Sequence, residues 1–355
     1  MLYKEDWDKT KIKYDEYWNR ENHDRPLISI TSPKNNIKEI DLKVHGNIKD
    51  RWLNTEYIIK KARLNFENTF FGGESYPILW PNLGPDVFSA FYGADIEFGE
   101  NTSWAHPIIT DWDKALNLTL DDKSFWYKKI VQMTKDIVED SKGDYMVGIT
   151  DLHPGSDGLV ALRGPENLCY DVLDEPEKIK ENVSKLLLGF KKITDELYSI
   201  TQKYQNGTTN WMGIWNSKKW YVTSCDFSCM ISQDMYKEFI LPELSEEIDY
   251  LDASMYHLDG PGALKHLDTL LGIEKLKGIQ WVYGAGQPTA SHWIPELKKI
   301  QKAGKLIHVD IVPEDLDVLL RELEPEGVMY QTWCSSEEEA RALLKKVENS
   351  RKGRC

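Results

Sequence analysis

The stretch that decides the fold runs from Ala253 to Gln331. It holds four short apolar segments: Ala253-Ser-Met-Tyr-His257, Gly278-Ile-Gln-Trp-Val282, Lys305-Leu-Ile-His-Val309 and Gly327-Val-Met-Tyr-Gln331. Amphipathic stretches follow them at 261–271, 290–303, 313–323 and 335–347. The short segments have the length of strands, whereas the stretches between them keep apolar residues at helical spacing. Four consecutive strand–helix units, about 25 residues apart, predict a parallel sheet with right-handed crossovers.

The same alternation continues toward the amino terminus with longer insertions. Extended segments are predicted at Pro26–Thr31, Pro77–Trp80, Tyr145–Thr150, 209–215 and 219–225. Helices are predicted over 6–22, 49–68, 121–141, about Pro176 to Lys203, and 232–250 with Ser232 as N-cap. Pro176 suits a first turn, where its missing N–H has no partner to lose. The fold class expected is α/β: one (β/α)8 TIM barrel over 1–355, with an N-terminal helical extension at 1–25 and a tail at 348–355. An open doubly wound sheet shares the rhythm. However, no Gly-x-Gly-x-x-Gly follows the first strand, and no linker rich in Pro, Gly or Ser divides the chain.

Composition narrows the function. The 355 residues are 41% hydrophobic and 11% aromatic, enough for a large core, and carry a net charge of −14. That field repels nucleic-acid backbones and anionic membranes, so neither is an expected partner. Five irregularly spaced cysteines make no disulfide framework and favour reduced thiols. The charged start of the chain lacks the apolar core of a signal peptide, and no segment is apolar enough to span a bilayer. A cytoplasmic protein acting on a small molecule is expected, with a homodimer left open.

In a parallel barrel the chemistry lies at the carboxyl ends of the strands. The residues there are Trp80, Pro81 and Asn82; Asp151 and His153; Trp215; Cys225 and Asp226; His257 and Asp259; Trp281 and Gly284; Asp310; and Trp333 and Cys334. The sharpest local signal is Tyr256-His-Leu-Asp-Gly-Pro-Gly262, where His257 and Asp259 leave a strand into a Gly-rich turn. Such a pair suits a metal or general acid–base chemistry, because imidazole titrates near neutrality. The bland alternative has Asp259 capping the next helix and His257 satisfied in the core. Cys334, beside a helix amino terminus that favours thiolate, could join His257 across the mouth, or act as a small core hydrophobe. In Cys225-Asp-Phe-Ser-Cys229 no second cysteine pair follows, so Asp226 is assigned to the pocket and Cys229 to packing. Asp151-Leu-His-Pro-Gly-Ser-Asp157 brings two acids and His153 to a loop suited to proton transfer, or forms an Asx turn ahead of a helix. Of thirteen tryptophans, Trp80, Trp104, Trp211, Trp215, Trp220, Trp281 and Trp333 fall near strand ends. They suit a sugar face, a planar ring or a quaternary ammonium, although at least half are expected only to pack the rim.

Ile231-Ser-Gln-Asp-Met-Tyr-Lys-Glu-Phe-Ile-Leu-Pro242, followed by the strand into His257-Leu-Asp-Gly260, resembles the uroporphyrinogen-decarboxylase-like superfamily. There a helix of pattern (I/L)SPexFxeFvlP precedes a strand ending in His-x-Cys-Gly or His-x-Asp-Gly. Asn82-Leu-Gly-Pro85 and Gly93-Ala-Asp-Ile-Glu-Phe-Gly99 also look like a subgroup of it. The resemblance runs from about residue 76 and is strongest from 220 onward. It implies a (β/α)8 barrel with either porphyrinogen decarboxylation or zinc-dependent methyl transfer involving corrinoid proteins and thiols. Carried over, the zinc ligands of the methyltransferase branch fall on His257, Asp259 and Cys334, with a carboxylate in place of the middle thiolate. That harder donor set suits thiol activation poorly but leaves Lewis-acid polarisation of a methylated substrate open. Of the arginine-rich motif that a porphyrinogen decarboxylase needs, only Arg25-Pro26 is present.

The expectation is therefore a methyltransferase-like enzyme moving a methyl group from a small aromatic or polyhydroxylated substrate to a thiol or a separate corrinoid protein. Zinc would be held by His257, Asp259 and Cys334. Asp226, His257, Asp151 and His153 would be the catalytic groups, and Trp80, Asn82, Trp215, Trp281 and Trp333 would bind substrate. Two alternatives stand beside it: a metal-independent decarboxylase or lyase, and a non-catalytic binder of a sugar or quaternary amine.

Overall fold

A computed structural model of the chain describes residues 1–38, 46–112 and 118–350. The basic tail from Arg351 lies outside them. The strands are β1 Leu27–Pro33, β2 Thr69–Gly73, β3 Ile78–Leu79, β4 Ile96–Phe98, β5 Ser103–Ala105, β6 Met146–Val147, β7 Trp220–Ser224, β8 Ala253–Asp259, β9 Gly278–Val282, β10 Leu306–Asp310 and β11 Val328–Trp333. Seven form one sheet in the order β2-β1-β11-β10-β9-β8-β7. All its pairs are parallel except β1–β2.

The four predicted units are thus the contiguous body of the sheet, β8 to β11, each joined to the next by a helical crossover. β2 was not expected. It returns antiparallel on β1 through Gly73, at φ +60°, where a Cβ would lie 2.1 Å from the Ile28 carbonyl oxygen. Only glycine tolerates both the dihedral and the approach.

A closed eight-stranded ring is not what the strand pairing shows. β2 and β7 are the edges of the large sheet, and β3 and β6 pair as a separate parallel ribbon. The extended segment expected at 209–215 reduces to one bridge, Asn210 to Ile149, flanked by a Thr208–Asn216 bridge, with a turn at Trp211–Met212. Several helices are also more broken than their periodicity suggests. Asn54 divides the expected 49–68 helix and caps its second part by accepting from the Tyr57 N–H. The 232–250 helix keeps Ser232 as its cap but passes through a π segment at Tyr236–Ile240 before Pro242. Proline withdraws one donor from the ladder, and a wider turn accommodates the loss.

Register separates the two faces of the large sheet. His257 pairs with Gln280, His308 with Gln280 and Met329, and Asp310 with Gln331. On β1, Ser29 pairs with Gln331 and Thr31 with Trp333. Neighbouring partners share a face in a parallel sheet, so all these side chains point one way. The alternate residues Leu258, Trp281, Val309 and Ile30 point the other way, beneath the crossover helices. The helix Trp7–Trp18 covers the polar face at its amino end. Tyr17 donates from its hydroxyl to the Ile307 carbonyl at 3.0 Å, and Trp18 packs edge-on to Trp220. Among the described residues, the carboxyl end of that face is left open.

Candidate functional site

At that open end, β7 and β8 and the segment after β6 bring six ionisable side chains together. His257 projects from β8 and its Nδ1 is 2.6 Å from Gln280 Oε1. With the Nδ1–H donated to this buried amide, the Nε2 lone pair faces the cavity. Asp259 ends β8 two residues on, exposed and on the same face; Gly260, not Asp259, occupies the cap of the following 3-10 turn. One ligand atom from each of Asp226, His257 and Asp259 lies within 4.8 Å of the others.

A second group, His153, Asp157 and Asp226, meets the same criterion and shares Asp226. It sits where the chain turns at Gly155 into the helix Gly155–Arg163. Gly155 has φ +62°, and a Cβ there would press on the Glu243 carboxylate at 2.9 Å. His153 Nε2 lies 3.2 Å from Asp151 Oδ1, and its Nδ1 lies 3.7 Å from Asp157 Oδ2. Asp157 also accepts from the backbone N–H groups of Asp226 and Phe227, at 2.9 and 3.0 Å. It therefore ties the histidine loop to the segment that presents Asp226.

The electrostatics follow from this crowding. Burial pulls His153 down, but Asp151 and Asp157 outweigh it and hold the imidazole well above its ordinary range, as a cation at neutral pH. Burial pushes Asp157 up, yet His153 and the two N–H donors bring it below the ordinary carboxylate range. For Asp226, burial and the nearby Asp157 raise the carboxyl while His153 and His257 pull against them. Behind this layer lie two buried acids from the helix Leu241–Tyr250. Burial and Glu247 push Glu243 well up; burial and Asp157 push Glu247 up to about 8. Glu243 accepts from both the backbone N–H and the hydroxyl of Ser156.

Beside His257 opens a cavity of about 400 Å³ lined by Ser29, Thr31, Trp211, Asp310, Gln331 and Trp333, among others. Trp211 meets the His257 ring edge-on, centroids 5.3 Å apart, so cavity and cluster are contiguous. On the same face of the sheet His308 is fully buried, and burial pushes it down toward the neutral form against the pull of Asp310 and Gln331.

The structure places several of the expected site residues away from this cluster. Cys334 belongs to neither of the gathered ligand groups. It is buried where the chain leaves β11, its N–H held by the Thr31 carbonyl, and burial with Glu339 pushes its thiol up to about 11. The helix that was to favour thiolate begins later, at Glu337, capped by Ser336. Trp281 is 1% exposed and packs against Trp293 on the helix-facing side of the sheet. Trp215 is buried among Trp7 and Tyr14 of the amino-terminal helix. Neither lines the cavity. Trp80 and Asn82 line a different cavity, of about 530 Å³, and the Asn82 side chain accepts the Gly84 N–H. Cys229 is exposed, not packed; Cys225 is the buried member of the pair. Trp333 does line the cavity beside His257.

Gln280, His308, Glu243 and Glu247 were not singled out from the sequence, and Asp157 was named only as the second acid of the loop that carries His153. Two-residue alternation could have found His308, because Asp310 shares its strand and parity, whereas Gln280 is marked only by its pairing with His257 across the sheet. Nothing local marks Glu243 or Glu247, whose importance comes from a helix packing behind the site.

The donor set fits a divalent cation. One imidazole with its second nitrogen oriented by Gln280 and two carboxylates form a borderline-to-hard trio, suited to zinc or a comparable metal and short of a thiolate. The chain is similar to a solved structure named as a methyltransferase from Methanosarcina mazei, with TM-score 0.63 and 12% identity over 96% of this chain and 98% of that one. Identity this low speaks to the fold. No protein-family model matches the sequence, and no curated protein matches it. No helix among the described residues is long and apolar enough to cross a membrane.

Proposed function

We propose that this chain is a methyltransferase-like enzyme of the uroporphyrinogen-decarboxylase-like group, moving a methyl group from a small methylated substrate to a thiol or a corrinoid protein. The observation that carries this reading is the convergence of His257, Asp226 and Asp259 at the open strand ends, on a fold shared with a methyltransferase. We read β1, β3, β6 and β7 to β11 as the eight strands of a barrel. Two bonds support that reading: the Tyr221 hydroxyl on β7 accepts from the Leu152 N–H and donates to the Thr150 carbonyl, spanning β6 and β7. Likewise Ser75, just before β3, donates to the Ile30 carbonyl of β1.

His257, Asp226 and Asp259 would hold the metal, which when bound supplies Lewis-acid polarisation of the donor or acceptor atom. Gln280 fixes the His257 tautomer. Asp157 positions Asp226 through its backbone and keeps His153 cationic. The bond from the methyl carbon to its donor oxygen or nitrogen breaks with its electron pair left on that atom. The acceptor supplies the pair for the new bond, and the freed atom takes a proton. His153 holds one on Nε2, facing Asp151, within the same site. The absence of any lysine or arginine from the described lining of the cavity weighs against a decarboxylase gripping substrate carboxylates.

The test is elemental analysis of protein purified without chelator, with His257→Ala and Asp226→Asn beside it. About one equivalent of zinc or a similar metal in the parent, lost in both variants, is expected. Less than about a tenth of an equivalent would sink the metal assignment. Turnover of a substrate that needs His257 without metal would point instead to a lyase.

A further inference from the structure

We infer that the cavity beside His257 receives a methylated ammonium group, held between Trp211 and Trp333 with Asp310 as its counter-charge. This names the substrate class of the site and rests on reading that site as a substrate pocket.

Two observations lead to it. First, Asp310 is the one acidic or basic side chain among the described residues lining the cavity. It is exposed at the end of β10 and makes no hydrogen bond or ion pair among the described residues. A single carboxylate with no cation of the protein to meet it selects a positive ligand and repels an anionic one. Second, the cavity is aromatic. Trp333 is 63% exposed, unusual for an indole on a sheet that buries Trp220 and Trp281 completely. Its ring is offered to solvent at the same rim as Trp211, whose Nε1 is buried without a hydrogen-bond partner. Indole faces attract quaternary and methylated ammonium groups, which are poorly hydrated and have no strong hydrogen-bonding demand.

A sugar would draw instead on hydroxyls and amides. Of those in the lining, Ser75 already donates to the Ile30 and Gly72 carbonyls, Tyr76 pairs with Thr209 at 2.6 Å and Thr332 donates to the Trp333 carbonyl; Ser29, Thr31 and Gln331 remain, but an uncharged sugar leaves the Asp310 carboxylate without a counter-charge. A carboxylate ligand meets no lysine or arginine in the lining. Contact between Trp211 and His257 places an ammonium methyl in this cavity beside the candidate metal ligands.

Titration of tryptophan fluorescence, confirmed by calorimetry, would compare choline with 3,3-dimethylbutan-1-ol, its uncharged isostere. Choline is expected to bind at least about tenfold more tightly. Asp310→Asn should remove about tenfold of choline affinity and leave the isostere unchanged, and Trp333→Leu should weaken choline by a similar factor. Both residues are exposed, and circular dichroism verifies that the variants fold. Equal binding of the two probes, no binding of choline, or full choline affinity in Asp310→Asn would each overturn the inference. Running the titration also on His257→Ala separates it from the methyl-transfer reading. Retained choline binding in a variant without metal supports the ammonium site whatever the chemistry, whereas a metal-loaded parent that ignores choline defeats the ammonium site alone.

Discussion

The two halves of the candidate site solve opposite problems. Around Asp157 almost every polar atom has a partner: Asp157 accepts two backbone N–H groups and faces His153, and Glu243 takes both donors of Ser156. Around Asp310 the carboxylate, an exposed indole and the Trp211 Nε1 have none among the described residues. A saturated network fixes geometry, while an unsaturated cavity waits for a ligand. In the function proposed above, the first half would be the rigid support and the second would set specificity.

That contrast can be broken most forcefully at Asp157. Asp157→Ala leaves two buried N–H groups and part of the His153 charge without a partner, and should cost about 3–5 kcal/mol in chemical denaturation. A loss under about 1 kcal/mol would mean that the network is ornamental. The pH dependence carries the same information. Asp157 sits below its ordinary range, so its contribution is present above that range and is lost as pH falls through the lowered value. His153 sits above its ordinary range, so its contribution is complete at low pH and is lost as pH rises through the raised value. Both operate at neutral pH, and Asp157→Asn should weaken both limbs.

Trp281 and Trp333 sharpen the comparison between packing and binding. Trp281→Ala should cost about 3–5 kcal/mol, as for a large core aromatic, and Trp333→Ala less than about 0.5 kcal/mol. Equal costs would contradict their assignment to opposite faces of the sheet. A smaller effect is expected at Glu247. Its buried carboxyl keeps its proton up to about 8, whereas the unfolded chain releases it in the ordinary range, so stability falls as pH rises between the two. Glu247→Gln should flatten that slope and stabilise the protein at alkaline pH by about 1–3 kcal/mol, read from thermal unfolding across pH. Smallest of all, Cys334→Ala should leave metal content unchanged; a loss of metal there would restore the thiol as a ligand.

The legible part of the molecule lies mainly after residue 220. Strands from Trp220 to Trp333 announce themselves because each is a brief apolar run between helical stretches, and five of them became neighbours in the expected order. Before that point, two-residue strands such as β3 and β6 carry too little pattern to fix their pairing, and the β1–β2 return depends on one glycine contact with a distant carbonyl. The chemistry divides similarly. His257, Asp259 and Asp226 could be named from their positions after strands, whereas Glu243 and Glu247 look like ordinary residues of an amphipathic helix.

By itself the sequence determined which residue types reach the carboxyl ends of the parallel strands. A strand and its turn are local matters of propensity and periodicity. Only the tertiary structure decided that Asp226 and not Cys334 completes the group with His257 and Asp259, and that Trp211 rather than Trp215 or Trp281 stands beside the imidazole. Side chains alternate faces along a strand, so a change of one residue in register sends an indole from a cavity into the core. Long-range packing sets that register.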